Sequence, residues 1–184
     1  MNFLCVLCVN MAIVKSVRGF TPKFGNNCFL ADGAIVVGEV TMGDNCTVWF
    51  NAVVRGDVHS ITIGNDTNIQ DGAIIHCTYQ KARTVIGSRV SIAHNAVVHG
   101  CTIEDDVLVG IGATILDDAV IGSGSVIAAG AIVLPGTKVE PGSIYAGIPA
   151  KKVKDTGPEM KAVIERTARN YPMYASWFRE SEEK

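Results

Sequence analysis

A six-residue period predicts an all-β solenoid, a parallel β-helix of hexapeptide repeats with a C-terminal α-helix packed on its outside. Three observations carry this. Stepping by six from Ile103 meets Val109, Ile115, Ile121, Ile127, Val133, Val139 and Tyr145, all apolar. The same step from Phe24 meets Leu30, Val36, Met42, Val48 and Val54, and the beat resumes through Ile63, Ile69, Ile75 and then Ile86, Ile92, Val98. Second, the residue four places on is small in most repeats: Cys28, Ala34, Cys46, Ala52, Ala73, Ala96, Ala113, Ala119, Ser125, Ala131. Third, turn-forming clusters such as Gly43-Asp44-Asn45 and Gly64-Asn65-Asp66 recur between apolar positions, where a corner demands unusual backbone angles. A repeat this regular stacks one coil on the next, so sequence spacing becomes three-dimensional position.

The elements follow in chain order. Residues 1–11 form an apolar N-terminal extension, MNFLCVLCVNM. It has no basic n-region and is far too short to span a bilayer. A start placed upstream of Met11 accounts for it, and Cys5 and Cys8 lack the second pair that a zinc ribbon requires. Residues 12–154 form the β-helix domain, in which 12–23 lead in and cover the first coil.

Three hexapeptides make one triangular coil. The first face carries Phe24, Met42, Ile63, Ile86, Ile103 and Ile121. The second carries Leu30, Val48, Ile69, Ile92, Val109 and Ile127, and the third Val36, Val54, Ile75, Val98, Ile115 and Val133. Extra residues at Ser60–Thr62 and Lys81–Val85, and one fewer near Thr102, all fall at the corner between the third and first faces. Residues 155–184 form the helix and tail. Thr156 reads as the cap, Pro158 stands in the first turn and Glu159 completes a capping box. Met160, Val163, Ile164, Ala168, Tyr171, Ala175 and Phe178 then recur at helical spacing, and Pro172 is expected to kink or divide the helix.

The bulk properties exclude some partners. A net charge of −2 on 184 residues gives no basic surface for nucleic acid or for an anionic membrane. Cys28 and Cys46 fall on interior positions, where a thiol packs as a small apolar group. A reduced, cytoplasmic protein is expected.

The chemistry lies in the histidines, of which there are four: His59, His76, His94 and His99. His76 and His99 occupy the same place on the third face in consecutive coils, so they stack one rung apart and point outward together. That suits two ligands of one metal ion. His94 belongs to the second face and points around a corner. If all three bind one ion, His94 comes from a neighbouring subunit, and a cyclic homotrimer then holds one such site at each interface. Three imidazoles leave a fourth position open, as in catalytic zinc sites. The plainer alternative is that these are solvated polar side chains.

At these residues the chain resembles the γ-class carbonic anhydrases and their bacterial relatives. The matching segments are Asn68-Ile69-Gln70-Asp71-Gly72, Ile75-His76, Ser91-Ile92-Ala93-His94, Val98-His99-Gly100 and Arg55-Gly56-Asp57. The resemblance covers about 12–178. It implies a left-handed coil, a homotrimer with interfacial metal, and His76, His94 and His99 as ligands of Zn2+, with Fe2+ or Co2+ also fitting. Arg55, Asp57 and Asp71 would form interface ion pairs, and for Arg55 a structural contact is the favoured role. Gln70 and Asn68 would orient the metal-bound water, or else hydrogen-bond the corners. Tyr171 or Tyr174 would reach the pocket, or else pack the core.

The implied reaction is attack of metal-bound hydroxide on CO2 to give bicarbonate. The chain departs from the family in one respect. Some members carry a long acidic loop after the first histidine, whereas Cys77–Arg83 holds no Asp or Glu. Weak or buffer-dependent turnover is therefore expected.

Two other activities fit the same fold. The segment from Tyr145 to Val153 looks like the Gly-x-Pro-Ala-Lys motif closing CoA-dependent acyltransferases, for which His59 is the one histidine left as a base. A metal-dependent acyl-CoA thioesterase would use the proposed site unchanged.

Overall fold

The computed structural model describes residues 11–182 as a parallel β-solenoid of about seven turns with one C-terminal helix. The readings placed on residues 1–10, including the Cys5 and Cys8 pair, lie outside the described residues. Among the described residues no helix is long and apolar enough to cross a membrane.

The register matches the six-residue beat on every face. Phe24, Met42, Ile63, Ile86, Ile103, Ile121 and Val139 are successive parallel partners on the first face. Leu30, Val48, Ile69, Ile92, Val109, Ile127 and Tyr145 are so on the second. Val36, Val54, Ile75, Val98, Ile115 and Val133 complete the third. Nearly all are buried in one continuous core, which also takes in Ala34, Cys46, Ala52, Ala73, Ala96, Ala113, Ala119 and Ala131. A branched side chain at those bends would compete for space already filled.

The slips sit where the sequence puts them. Strands Ile35–Met42 and Val53–Ile63 run unbroken round the corner from the third face to the first, joining these faces into one 12-stranded sheet. A register shift between Gly38 and Val40 absorbs the extra residues around Ser60–Thr62. One coil later, a turn bridged between Thr78 and Ala82 absorbs the next insertion. The second face remains a separate 8-stranded sheet. At its corner with the third face, Asn51, Gly72 and Asn95 all adopt left-handed φ. Gly72 is costly to replace because its φ of +67° strains most residues that carry a side chain.

The helix Pro158–Glu182 lies on the outside of the second face. It starts over Val126 and Ile144, where Ile164 and Met160 pack. It ends over the first coil, where the Arg179 guanidinium donates to the Asn27 and Cys28 carbonyls at 3.2 and 3.1 Å. Ile164, Ala168 and Ala175 are its buried stripe, and burying a side chain the size of Ile164 contributes about 1.5–3 kcal/mol.

Two expectations for this segment are corrected. Thr156 is not the cap: its hydroxyl donates to the Gly124 carbonyl at 3.1 Å, and the first helical bond runs from Lys161 N–H to the Gly157 carbonyl. The solenoid claims Thr156 first, and the cap moves one residue on. Pro172 does not divide the helix. The lost backbone bond is outweighed by packing on both sides of it, through Ala168 before and Ala175 after.

The outer surfaces of the faces differ in a way that positions the site. Lys23, Thr41, Thr62, Thr102 and Lys138 are among the outward residues of the first face. The second is covered by the helix. The third presents Ile35, Val53, Ile74, Val97, Thr114 and Ile132, a mostly apolar stripe over which no other strand or helix among the described residues packs.

Candidate metal centre

His76 and His99 are parallel partners at the ends of strands Ile74–His76 and Val97–His99. Each follows an inward residue, Ile75 or Val98, and so projects outward. His76 Nδ1 and His99 Nε2 stand 3.1 Å apart. The outer nitrogens meet carboxylates. His76 Nε2 is 3.0 Å from Asp57 Oδ1, whose other oxygen pairs with Arg55 at 2.5 Å. His99 Nδ1 is 2.6 Å from Asp117 Oδ1, whose other oxygen accepts the Thr78 hydroxyl at 2.5 Å. Beneath the rings, the buried Thr84 hydroxyl donates to the His76 carbonyl at 2.6 Å and accepts the Gly100 N–H at 3.0 Å.

Proton counting shows what this cluster suits. Burial lowers the His76 pKa, and Arg55 and His99 reinforce that against the upward pull of Asp57. A neutral His76 has one N–H and one lone pair. The Asp57 carboxylate takes the N–H, so Nδ1 carries the lone pair. A His99 ring with one proton, donating its Nδ1–H to Asp117, likewise has its lone pair on Nε2. In those ring forms two lone pairs face each other across 3.1 Å, a gap that a shared proton or a metal cation would fill. Two nitrogens about 2.0–2.1 Å from a tetrahedral zinc lie about 3.3 Å apart, close to this separation. The residues present therefore fit a divalent metal.

The carboxylates are tuned alike. Burial works to raise Asp57, but the hydrogen bonds from His76 and Arg55 overcome it and hold its pKa below the ordinary value. Burial likewise opposes, and the Thr78 and His99 hydrogen bonds prevail, at Asp117. Both remain acceptors for an imidazole N–H, the usual support for a metal-ligating histidine.

His94 stands apart, in the turn between strand Ser91–Ile92 on the second face and Val97–His99 on the third. It is about two-fifths exposed, and its Nδ1 lies 3.0 Å from Asp71 Oδ2. Among the described residues of one chain, no three His, Cys, Asp or Glu side chains form a metal-holding group. Asn68 and Gln70 are buried on the second face, in a polar ladder on the side the helix covers. Gln70 Nε2 donates to Asn68 Oδ1 at 3.0 Å, and Asn68 Nδ2 to Ser91 Oγ at 2.8 Å. Tyr171 meets the Trp49 ring edge-on at 5.4 Å, and burial, with Asp71 and Tyr174 adding, pushes its phenol up to about 12.

The structure thus brings Arg55, Asp57, His76 and His99 together. It sets Asp71 and His94 together at the adjoining corner, and keeps Asn68, Gln70 and Tyr171 on the second-face side. Sequence reasoning missed Asp117 and Thr84. Asp117 was within its reach, because pairing Ile115 with Val98 places Leu116 over His99 and Asp117 beside it.

The chain is similar to several known proteins. The bacterial transferase hexapeptide (six repeats) family model matches residues 21–56 and 100–135. A protein of Methanocaldococcus jannaschii named "Probable carbonic anhydrase" is 55% identical over 78% of this chain and 90% of its own length. Protein YrdA of Escherichia coli is 39% identical over 86% of this chain and 90% of its own. The crystal structure of a hexapeptide transferase family protein from Anaplasma phagocytophilum superposes with a TM-score of 0.86 at 34% identity, covering 90% of this chain and 98% of that one.

Proposed function

The chain belongs to the hexapeptide-repeat family, among its γ-carbonic anhydrase-like members, and from that premise we propose that it is a metal-dependent enzyme hydrating CO2 to bicarbonate. The observation that carries this is the 3.1 Å approach of His76 Nδ1 to His99 Nε2, each ring held at its other nitrogen by a carboxylate. His94 of a neighbouring subunit supplies the third imidazole in a homotrimer. The mostly apolar stripe of the third face, uncovered by the described elements and with the His94 corner beside it, supports that assembly.

A divalent ion held by these imidazoles, with zinc the first choice, would supply Lewis acidity and would lower the pKa of a bound water from about 15.7 to about 7, as in the carbonic anhydrase zinc site. The chain does the rest. Asp57, Asp117 and Asp71 hold the outer N–H groups, so the inner nitrogens stay available as ligands. Gln70, fixed through Asn68 to Ser91, orients the water. Ile74 and Val97 flank the two histidines on their strands and offer apolar surface to CO2. Cys77–Arg83 contains no carboxylate, so the released proton passes to buffer.

The acyltransferase alternative, with His59 as its base, has less support. His59 Nδ1 accepts the Ser60 N–H at 2.8 Å, which leaves a proton on Nε2 in the neutral ring. The test is stopped-flow CO2 hydration by metal-loaded protein beside His94→Ala, with metal content measured on both. Activity lost with the metal supports the proposal. A metal-bearing protein inactive on CO2 refutes it and turns attention to thioesters.

A further inference from the structure

We infer that Asp117 is the positioning residue of this centre, fixing the tautomer and rotation of His99 through a latch formed by the loop that follows His76. The inference rests on the proposed metal site and extends it to residues outside the expected ligand set. Three separate features place this carboxylate. The first is its 2.6 Å contact with His99 Nδ1. An ionised carboxylate only accepts, so it selects the ring form with the proton on Nδ1 and the lone pair on Nε2, the nitrogen facing His76.

The second feature is the latch. The Thr78–Ala82 turn is closed by its own backbone bonds, and the Thr78 hydroxyl donates to the second Asp117 oxygen at 2.5 Å. With both oxygens engaged, the carboxylate cannot swing away from His99 without breaking the Thr78 bond. The third feature is Gly100. A Cβ there would collide with Asp117 Oδ1, so the residue after His99 admits the carboxylate by having no side chain. The short loop after the first histidine, which lacks acidic residues of its own, thus borrows one from two coils on and holds it against the second ligand.

The experiment reads tautomers and affinity, not turnover. Nitrogen NMR of the imidazoles in metal-free wild type, Asp117→Ala and Asp117→Asn reports the proton position on His99. Competition against a chromogenic chelator reports Zn2+ affinity. Wild type is expected to hold the Nδ1–H form alone. Asp117→Ala is expected to populate both tautomers and to bind Zn2+ about 10–100-fold more weakly. Asp117→Asn keeps an acceptor oxygen and is expected to retain the tautomer, with affinity between the two. A wild-type His99 that already populates both tautomers overturns the inference without any variant. So does an Asp117→Ala protein with the wild-type tautomer and affinity. Wild type that binds no Zn2+ defeats the proposed function, and the tautomer measurement still decides the role of Asp117.

Discussion

His94 stacks directly over Asp71, its counterpart one coil earlier, with Nδ1 3.0 Å from the Asp71 carboxylate. The pair repeats at a corner what Asp57 and Asp117 do on the third face. Each histidine has a carboxylate beside one nitrogen, which leaves its other nitrogen as the one open to a metal. All three expected ligands are therefore set up in the same way, although one stands on a different side of the coil.

Asp71→Ala is accordingly expected to lower metal affinity about 10–100-fold while changing folding stability by less than about 1 kcal/mol, since both partners are about two-fifths exposed. Chelator competition and denaturant unfolding of the metal-free protein measure the two effects separately. A large stability loss with unchanged affinity would assign Asp71 to the fold alone.

Thr84→Val tests the clamp beneath His76 and His99. The substitution keeps the shape and removes the hydroxyl, leaving the His76 carbonyl and Gly100 N–H with only each other, at 3.1 Å. A stability loss of about 1–3 kcal/mol is expected, together with weaker Zn2+ binding because the spacing of the two rings is no longer enforced. Equilibrium urea unfolding and chelator competition check both parts. Full retention of each would contradict the clamp.

Much of this was legible in the sequence, and the reason is physical. In a solenoid every coil repeats the same register, so six-residue arithmetic placed His76 on His99 and set His94 around the corner. The arithmetic did not say what a side chain bonds to. Thr156 looked like a cap because local helix signals pointed to it, whereas its hydroxyl is bound to Gly124, thirty-two residues earlier in the chain. Asp117 and Thr84 went unnoticed because motif reading follows histidines, and their role depends on contacts to other coils. The helix at Pro172 shows the same limit: tertiary packing outweighed a local breaker.

Tyr171 gives a pH prediction. Its phenol is pushed from an ordinary value of 10 to about 12, by burial first and then by Asp71 and Tyr174. A folded pKa raised above the unfolded one contributes stability that is fully present below about pH 10 and is lost as pH rises through the folded value. Wild type is expected to lose stability between about pH 10 and about 12, and Tyr171→Phe to lose less over the same range. Urea midpoints at a series of alkaline pH values decide it. Parallel losses in the two proteins would show that Tyr171 does not titrate late.

The central claim is that each site is assembled from two chains, and subunit complementation tests it most directly. His94→Ala and His76→Ala proteins are prepared separately, each without CO2 hydration activity, then mixed under conditions where native mass spectrometry shows subunit exchange. In a mixed homotrimer, a third face from the first variant meets a second-face corner from the second variant at about one quarter of the interfaces. The account predicts recovery of about that fraction of wild-type activity and metal. Complete exchange with no recovery of either would contradict it.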